Sequence, residues 1–275
     1  MTIGEALLRT QAAIEARSDS ARLDAELLLG HVLGLSRTQL RLRRDEPFDD
    51  GRRAPLAALT QRRCDGEPVA YLLGTQGFWN LDLEVNGAVL VPRPETELLV
   101  EWACELLPAD EARRVVDLGT GSGAIVLAIA GERPRARLSA SDISADALAV
   151  ARRNAARLAA NVDFREGRWW QAFGDARFDL ALSNPPYIAA GDPHLAALHH
   201  EPLLALSDGA DGLQALREII GGGAAHLHGG GWLLVEHGCD QGAAVRALFA
   251  DAGFTAIATR RDLENRERAT GGQRP

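Results

Sequence analysis

The sequence predicts an α/β protein in three parts: a helical bundle over residues 1–75, a linking β-hairpin over 76–93 and a mostly parallel sheet domain over 94–275. Three observations predict it. Apolar residues recur at helical spacing up to about residue 75. Runs with period-two character then flank Asn86-Gly87, a dipeptide suited to a tight hairpin turn. From Arg114 onward short strand-like runs alternate with helical patterns, and the first run closes on a glycine loop.

In the first part, Ile3, Leu7 and Ile14 lie on one helical face. Leu23, Leu27 and Leu28 form a second stripe after Ser20, a candidate cap. Ser36 opens a third short helix through Leu42, and Leu56 and Leu59 lie on a fourth. After the hairpin, Val91-Pro92-Arg93-Pro94-Glu95-Thr96-Glu97 breaks the strand and opens a helix lined by Leu98, Leu99, Trp102 and Leu106. Strands are expected at 114–118, 137–142, 162–166, 178–183, 230–236 and 254–259, with helices at 124–131, 144–160, 213–227 and 241–253. This alternation favours parallel pairing through right-handed crossovers.

Charge is unevenly spread. The first 75 residues hold 11 Arg and 11 acidic residues, so the formal net charge of −8 falls on the remainder. A protein that grips a nucleic-acid backbone usually has a basic excess, so an acidic catalytic part suits a basic protein surface better. The N-terminus is acidic, unlike a signal peptide, and no stretch approaches the roughly 18 apolar residues of a membrane span. Cys64, Cys104 and Cys239 are scattered, which fits reduced thiols in a cytoplasmic protein. Neither they nor His194, His199 and His200 have metal-ligand partners at the right spacing, and no metal is expected.

Two motifs carry the chemistry. The first is Asp117-Leu118-Gly119-Thr120-Gly121-Ser122-Gly123, between a strand and a helix. Its glycines permit a tight turn and close approach of a ligand to backbone N–H groups. Asp142, closing the next strand, is placed to accept hydrogen bonds from ribose hydroxyls, as dinucleotides and S-adenosylmethionine both require. Asp117 favours the latter, because a carboxylate there repels a pyrophosphate but not an ammonium-bearing adenosyl ligand. The second motif is Asn184-Pro185-Pro186-Tyr187, at the carboxyl end of an apolar strand. The Asn184 side-chain oxygen and the Pro185 carbonyl can accept both N–H bonds of an amide or aromatic amino group. That aims a delocalised lone pair at a sulfonium methyl and stabilises the charge developing on nitrogen. Trp169 is a candidate plate for adenine. Glu236-His237 ends a strand on the same side, and His237 reads as a structural histidine.

With Glu67-Pro68-Val69-Ala70-Tyr71-Leu72, Phe78-Trp79, Asp192-Pro193-His194-Leu195, Glu201-Pro202 and Glu236-His237-Gly238, these motifs run in order along nearly the whole chain. In this the chain resembles the release-factor glutamine methyltransferases, the PrmC or HemK family. The resemblance implies a seven-stranded, Rossmann-like class I S-adenosylmethionine-dependent methyltransferase sheet whose last strand runs antiparallel. It implies that Gly119–Gly123, Asp142, Trp169 and Asn184 bind the cofactor, and that Asn184–Tyr187 hold the substrate glutamine, with Phe78 and Arg93 nearby. It also implies that the helical bundle contacts class I peptide-chain release factors. A monomer is expected, with no stable nucleic-acid or membrane attachment. Rival readings are an adenine amino methyltransferase on nucleic acid, a ribosomal-protein glutamine methyltransferase, a non-catalytic cofactor-binding module and, more distantly, a dehydrogenase.

Three departures from the family pattern stand out. Arg168 replaces the acid expected before the aromatic at the third strand. The Leu198–Glu201 stretch is shortened. The C-terminus lacks the usual final-strand residues and ends in Gly271-Gly272-Gln273-Arg274-Pro275. Gly-Gly-Gln is the tripeptide the family modifies. Chance is the favoured explanation in a glycine-rich chain, with self-methylation or pseudo-substrate occupancy of Gln273 as the alternative.

Overall fold

The computed structural model describes residues Met1–Pro275, and the chain forms two compact units, Met1–Thr75 and Gln76–Pro275. The first unit holds helices α1 (Ile3–Ile14), α2 (Ala21–Leu33), α3 (Arg37–Leu42), α4 (Arg53–Cys64) and α5 (Val69–Leu73). Reciprocal capping boxes start α1, through Thr2 and Glu5, and α3, through Ser36 and Gln39. Ser20 does occupy the α2 cap position, but its hydroxyl donates to the Asp24 carboxylate rather than accepting a backbone N–H.

The buried face of α2 is also rotated from the predicted stripe. Leu28 and Leu29 are fully buried, whereas Leu23 is exposed and Asp24 and Glu26 take interior positions. The reason is electrostatic. Asp24 accepts from Ser18, Ser20 and Arg63, and Glu26 accepts from Arg22 and Arg37, so both carboxylates are buried with matched partners.

A two-stranded hairpin, β1 (Thr75–Phe78) and β2 (Leu81–Glu84), follows, all but its first residue in the second unit. It turns at Trp79-Asn80, not at Asn86-Gly87. Trp79 adopts φ 57°, held by its backbone N–H donating to Glu97 Oε1 at 2.6 Å and its indole N–H donating to Glu132 Oε1 at 2.8 Å. Asn86 instead makes a side-chain turn, its Oδ1 accepting the Ala88 N–H at 2.9 Å, and the residues directly after it form no strand.

Seven strands form the main sheet: β3 (Arg114–Leu118), β4 (Arg137–Asp142), β5 (Val162–Glu166), β6 (Phe178–Ser183), β7 (Leu227–Glu236), β8 (Thr255–Arg261) and β9 (Glu267–Gln273). Their order is β5-β4-β3-β6-β7-β9-β8, parallel except for β9, which runs antiparallel to both neighbours. This is the class I methyltransferase arrangement. Its helices are α6 (Glu97–Leu106), α7 (Ala124–Glu132), α8 (Ala145–Arg157), α9 (Leu203–Leu206), α10 (Gln214–His226) and α11 (Gly242–Asp251). Alternate residues of β3, β6 and β7 feed two cores. Val115, Leu180, Leu182 and Leu234 pack with α6 and α7, and Val116, Ala181, Leu233 and Val235 pack with α10 and α11.

The final strand is therefore present, built from the segment that departs from the family pattern. Its glycines answer a packing demand. A Cβ on Gly271 would lie 2.5 Å from Leu234 Cδ2, and one on Gly272 would lie 2.7 Å from Phe249 Cδ1. Helices press on both sides of β9 at this level, and only glycine fits.

Candidate active site

The strand order reverses at β3, so the loops after β3 and β6 open a crevice at the carboxyl ends of the sheet. Ser183 fixes the two strand ends together, its Oγ donating to the Leu118 carbonyl at 2.6 Å. The glycine loop is bound to the end of β4: the Gly119 and Thr120 N–H groups both donate to the Ser141 carbonyl, at 2.8 and 2.9 Å. Gly119 takes φ 75°, and a Cβ there would come within 2.8 Å of Trp169 Cζ3. The indole thus packs directly on the loop backbone.

One cavity is lined by Gly119, Thr120, Gly121 and Ser122, together with Asp142, Ile143, Arg168 and Trp169. Phe78, Arg93, Thr96, Asn184 and Pro186 line it too. Asp117, Gly123, Pro185 and Tyr187, expected at the site from the sequence, do not line it. Asp117 is buried and accepts from the Thr120 hydroxyl at 2.6 Å, so its carboxylate braces the loop from within. Burial pushes its pKa up to about 7. Gly123 is the N-cap of α7. The Pro185 ring is buried, and the Tyr187 hydroxyl donates to Glu236 Oε1 at 3.1 Å.

Asp142 is aligned by backbone: the Gly121 N–H donates to Oδ2 and the Ser144 N–H to Oδ1, each at 2.9 Å. Burial raises its pKa against these opposing hydrogen bonds. Beside it Ile143 is 53% exposed, an apolar surface facing an open cavity. Asp142, Ile143 and Trp169 therefore offer an acceptor for ribose hydroxyls and two apolar surfaces for a heteroaromatic ring. Both arginines on the wall are committed elsewhere. Arg93 donates to buried Glu201, and Arg168 makes a bidentate pair with Glu218 at 2.7 and 2.8 Å. The loop N–H groups that would cradle a pyrophosphate are also spent, those of Gly119 and Thr120 on the Ser141 carbonyl and that of Gly121 on Asp142, so the residues present fit an adenosyl sulfonium ligand better than a dinucleotide.

Asn184 is held from behind. Its Nδ2 donates to Thr96 Oγ1 at 3.0 Å, and that hydroxyl in turn donates to Glu236 Oε2 at 2.7 Å. Glu236 is fully buried, which pushes its pKa up to about 7. His237 is satisfied on both ring nitrogens, by the Gly238 carbonyl and by Thr270 Oγ1, each at 2.8 Å, and burial lowers its pKa. No cluster of three or more His, Cys, Asp or Glu side chains is arranged to hold a metal. Thr96, Ile143 and the wall formed by Pro202, Leu204 and Asp208 were not expected from the sequence. For Thr96 a signal existed, since it sits inside the Arg93–Glu97 segment that opens α6.

Residues 5–74 match the model for the PrmC N-terminal domain, and residues 95–201 match that for a methyltransferase small domain. A release factor glutamine methyltransferase of Xylella fastidiosa is 53% identical over 257 residues, 92% of this chain and 94% of the relative. The chain belongs to the release factor glutamine methyltransferase family. Another release factor glutamine methyltransferase, from Burkholderia pseudomallei, is 49% identical over 97% of this chain and 96% of its own. Among solved structures, a methyltransferase from Pyrococcus furiosus superposes with a TM-score of 0.55 at 16% identity, covering 79% of this chain and 98% of that one. At that identity it supports the fold alone. No helix is long and apolar enough to cross a membrane.

Proposed function

We propose that this protein transfers a methyl group from S-adenosyl-L-methionine to the side-chain amide nitrogen of the glutamine in the Gly-Gly-Gln motif of class I peptide-chain release factors. The observation that carries the reading is the meeting, in one cavity, of a ribose-ready Asp142 and an Asn184 amide held from behind. Family membership supplies the substrate class.

Gly119–Ser122, Asp142, Ile143 and Trp169 are assigned to the cofactor. When bound, it supplies an electrophilic methyl on sulfonium sulfur. Asn184 Oδ1 is assigned to one N–H bond of the glutamine amide and the carbonyl of Pro185, whose ring packs inward, to the other, so that the lone pair faces the methyl. With the cofactor held there, the C–N bond would form as the S–C bond broke, the sulfur leaving as a neutral thioether. The methylated amide then loses a proton to solvent, which its acidity allows without a strong base. Holding both groups in line replaces a bimolecular encounter and supplies much of the rate. Phe78 and Pro186 supply apolar wall, and Arg93, tied to Glu201, orders the rim. The helical unit is assigned to release-factor contact, for which the exposed Leu8 and Leu42 offer apolar anchors. A cytoplasmic monomer acting without stable nucleic-acid binding completes the reading.

The test is methyl transfer from radiolabelled S-adenosylmethionine to release factor, to its Gln→Ala variant and to double-stranded DNA. Label in the wild-type factor alone, lost with Asn184→Ala, supports the assignment. Label in DNA would replace the substrate class, and label in the Gln→Ala variant would refute the target.

A further inference from the structure

Three groups on separate elements form a chain behind the amide-binding position. Thr96 ends the turn Pro94–Thr96 that leads into α6, Glu236 ends β7 and Asn184 follows β6. The Thr96 hydroxyl has a single proton, and Glu236 Oε2 takes it at 2.7 Å. The hydroxyl oxygen can then only accept from Asn184, so the amide must present Nδ2 to Thr96 and turn Oδ1 away from it. The direction of this chain decides which Asn184 atom is offered to the substrate. An ionised Glu236 accepts only. It takes the Thr96 proton on one oxygen and the Tyr187 hydroxyl on the other, at 3.1 Å.

We propose that Glu236 and Thr96 are positioning residues that hold Asn184 with its carbonyl toward the substrate only while Glu236 is ionised, which makes methyl transfer pH-dependent through a group that never touches substrate. This rests on the assignment of Asn184 Oδ1 as the amide acceptor. Protonation of Glu236 on Oε2, the oxygen that accepts from Thr96, reverses the chain. The carboxylic acid donates to Thr96, Thr96 donates to Asn184, and the amide turns its own N–H groups toward a substrate that also offers N–H groups. Two donors then face each other and productive binding is lost.

The groups around Glu236 make protonation accessible. Burial is the dominant influence and pushes its pKa up to about 7, with Glu95 acting in the same direction. Thr96, Tyr187 and Arg268 oppose it. Arg268 is itself paired with Asp262 at 3.3 Å, and Glu95 lies 3.9 Å from Arg266.

The experiment measures kcat for release-factor methylation against pH, at saturating S-adenosylmethionine, for the wild type, Thr96→Val, Thr96→Ser and Asn184→Ala. The side-chain amide protons of Asn184 are followed by NMR in the wild type over the same range, assigned by their absence in Asn184→Ala. Wild-type kcat is expected to fall as pH drops through about 7, and the Asn184 amide signals to titrate with the same midpoint. Thr96→Val, which keeps the shape and removes the hydroxyl, is expected to lower the plateau kcat roughly tenfold and to flatten the acid limb. Thr96→Ser should recover most of the loss and restore the limb. Asn184 signals that do not titrate, with parallel pH profiles for wild type and Thr96→Val, would overturn the proposal. Should a variant fail to fold, wild-type Asn184 signals that stay constant through the acid limb overturn it on their own. A fully active Asn184→Ala would instead overturn the assignment of the amide acceptor.

Discussion

Ser183 Oγ donates to the Leu118 carbonyl at 2.6 Å, joining the last residue of β6 to the last residue of β3. The next residue on one strand is Asn184 and on the other Gly119, so this buried bond extends the β3–β6 ladder to the point where the two loops that bear the chemistry begin. Ser183→Ala leaves the apolar packing intact and removes the bond. Stability is expected to fall by about 1 kcal/mol, the usual worth of one buried hydrogen bond. Catalysis should suffer more than stability does, since a displacement of about 1 Å between reacting groups can cost roughly 100-fold. Urea denaturation together with single-turnover methylation checks both. Equal kcat in the two proteins would mean the loops are set by other contacts.

Gly119 and Trp169 make a second close approach. Gly119→Ala places a side chain at φ 75° and 2.8 Å from the indole Cζ3. The left-handed conformation alone costs about 1–2 kcal/mol for an alanine. Relief of the clash moves the indole off the loop, so the variant should bind S-adenosylhomocysteine at least tenfold more weakly by calorimetry. Trp169→Ala combined with Gly119→Ala should relieve the clash, leaving the left-handed strain at 119, and should not recover affinity. Unchanged affinity in Gly119→Ala would show that the indole is not part of the cofactor wall.

The fold is largely legible in the sequence because its pattern is hydrophobic: alternating strand and helix periods are written in apolar residues such as Val115, Leu180 and Leu234. The site is legible where backbone chemistry restricts residue type, as at Gly119 and at Asn184-Pro185. What is not legible depends on partners distant in sequence. Leu23 has interior spacing yet lies exposed, because Arg63 and Arg22 make Asp24 and Glu26 interior instead. Asn86-Gly87 satisfies a local rule for a hairpin, while the actual turn at Trp79 is held by Glu97 and Glu132. Thr96 gains its role only from Glu236, which is 140 residues away.

Asp117 and Glu236 link stability to pH in an unusual direction. Burial raises both, from 3.8 and 4.5 to about 7. Each binds its proton more tightly folded than unfolded. The stability this contributes is fully present below the unfolded values and is lost as pH rises through about 7. The urea midpoint is therefore expected to decline between about pH 5 and pH 8. Asp117→Asn, which stays neutral and still accepts from Thr120, should shrink that decline. A midpoint independent of pH over this interval, or an unchanged slope in the variant, would show that the buried carboxyls titrate as they do in the unfolded chain.

Gln273 completes a Gly-Gly-Gln tripeptide in this chain, and its surroundings argue against its own methylation. It lies in β9, paired with Trp232 on one side and Thr255 on the other. Its side-chain amide donates to the Gly230 carbonyl at 2.9 Å. In register, Ser183 pairs with Val235 and Val235 with Thr270, so Gln273 lies three residues farther from the catalytic end of the sheet. At a strand rise of about 3.3 Å per residue this is about 10 Å along the strand axis. Reaching the site would require stripping β9 from between β7 and β8. Mass spectrometry of the C-terminal peptide after prolonged incubation with S-adenosylmethionine should find no added methyl, and Gln273→Ala should methylate release factor at the wild-type rate. A methyl on Gln273 would mean that β9 detaches in solution and that the strand, with its close-packed glycines, is far less stable than its packing indicates.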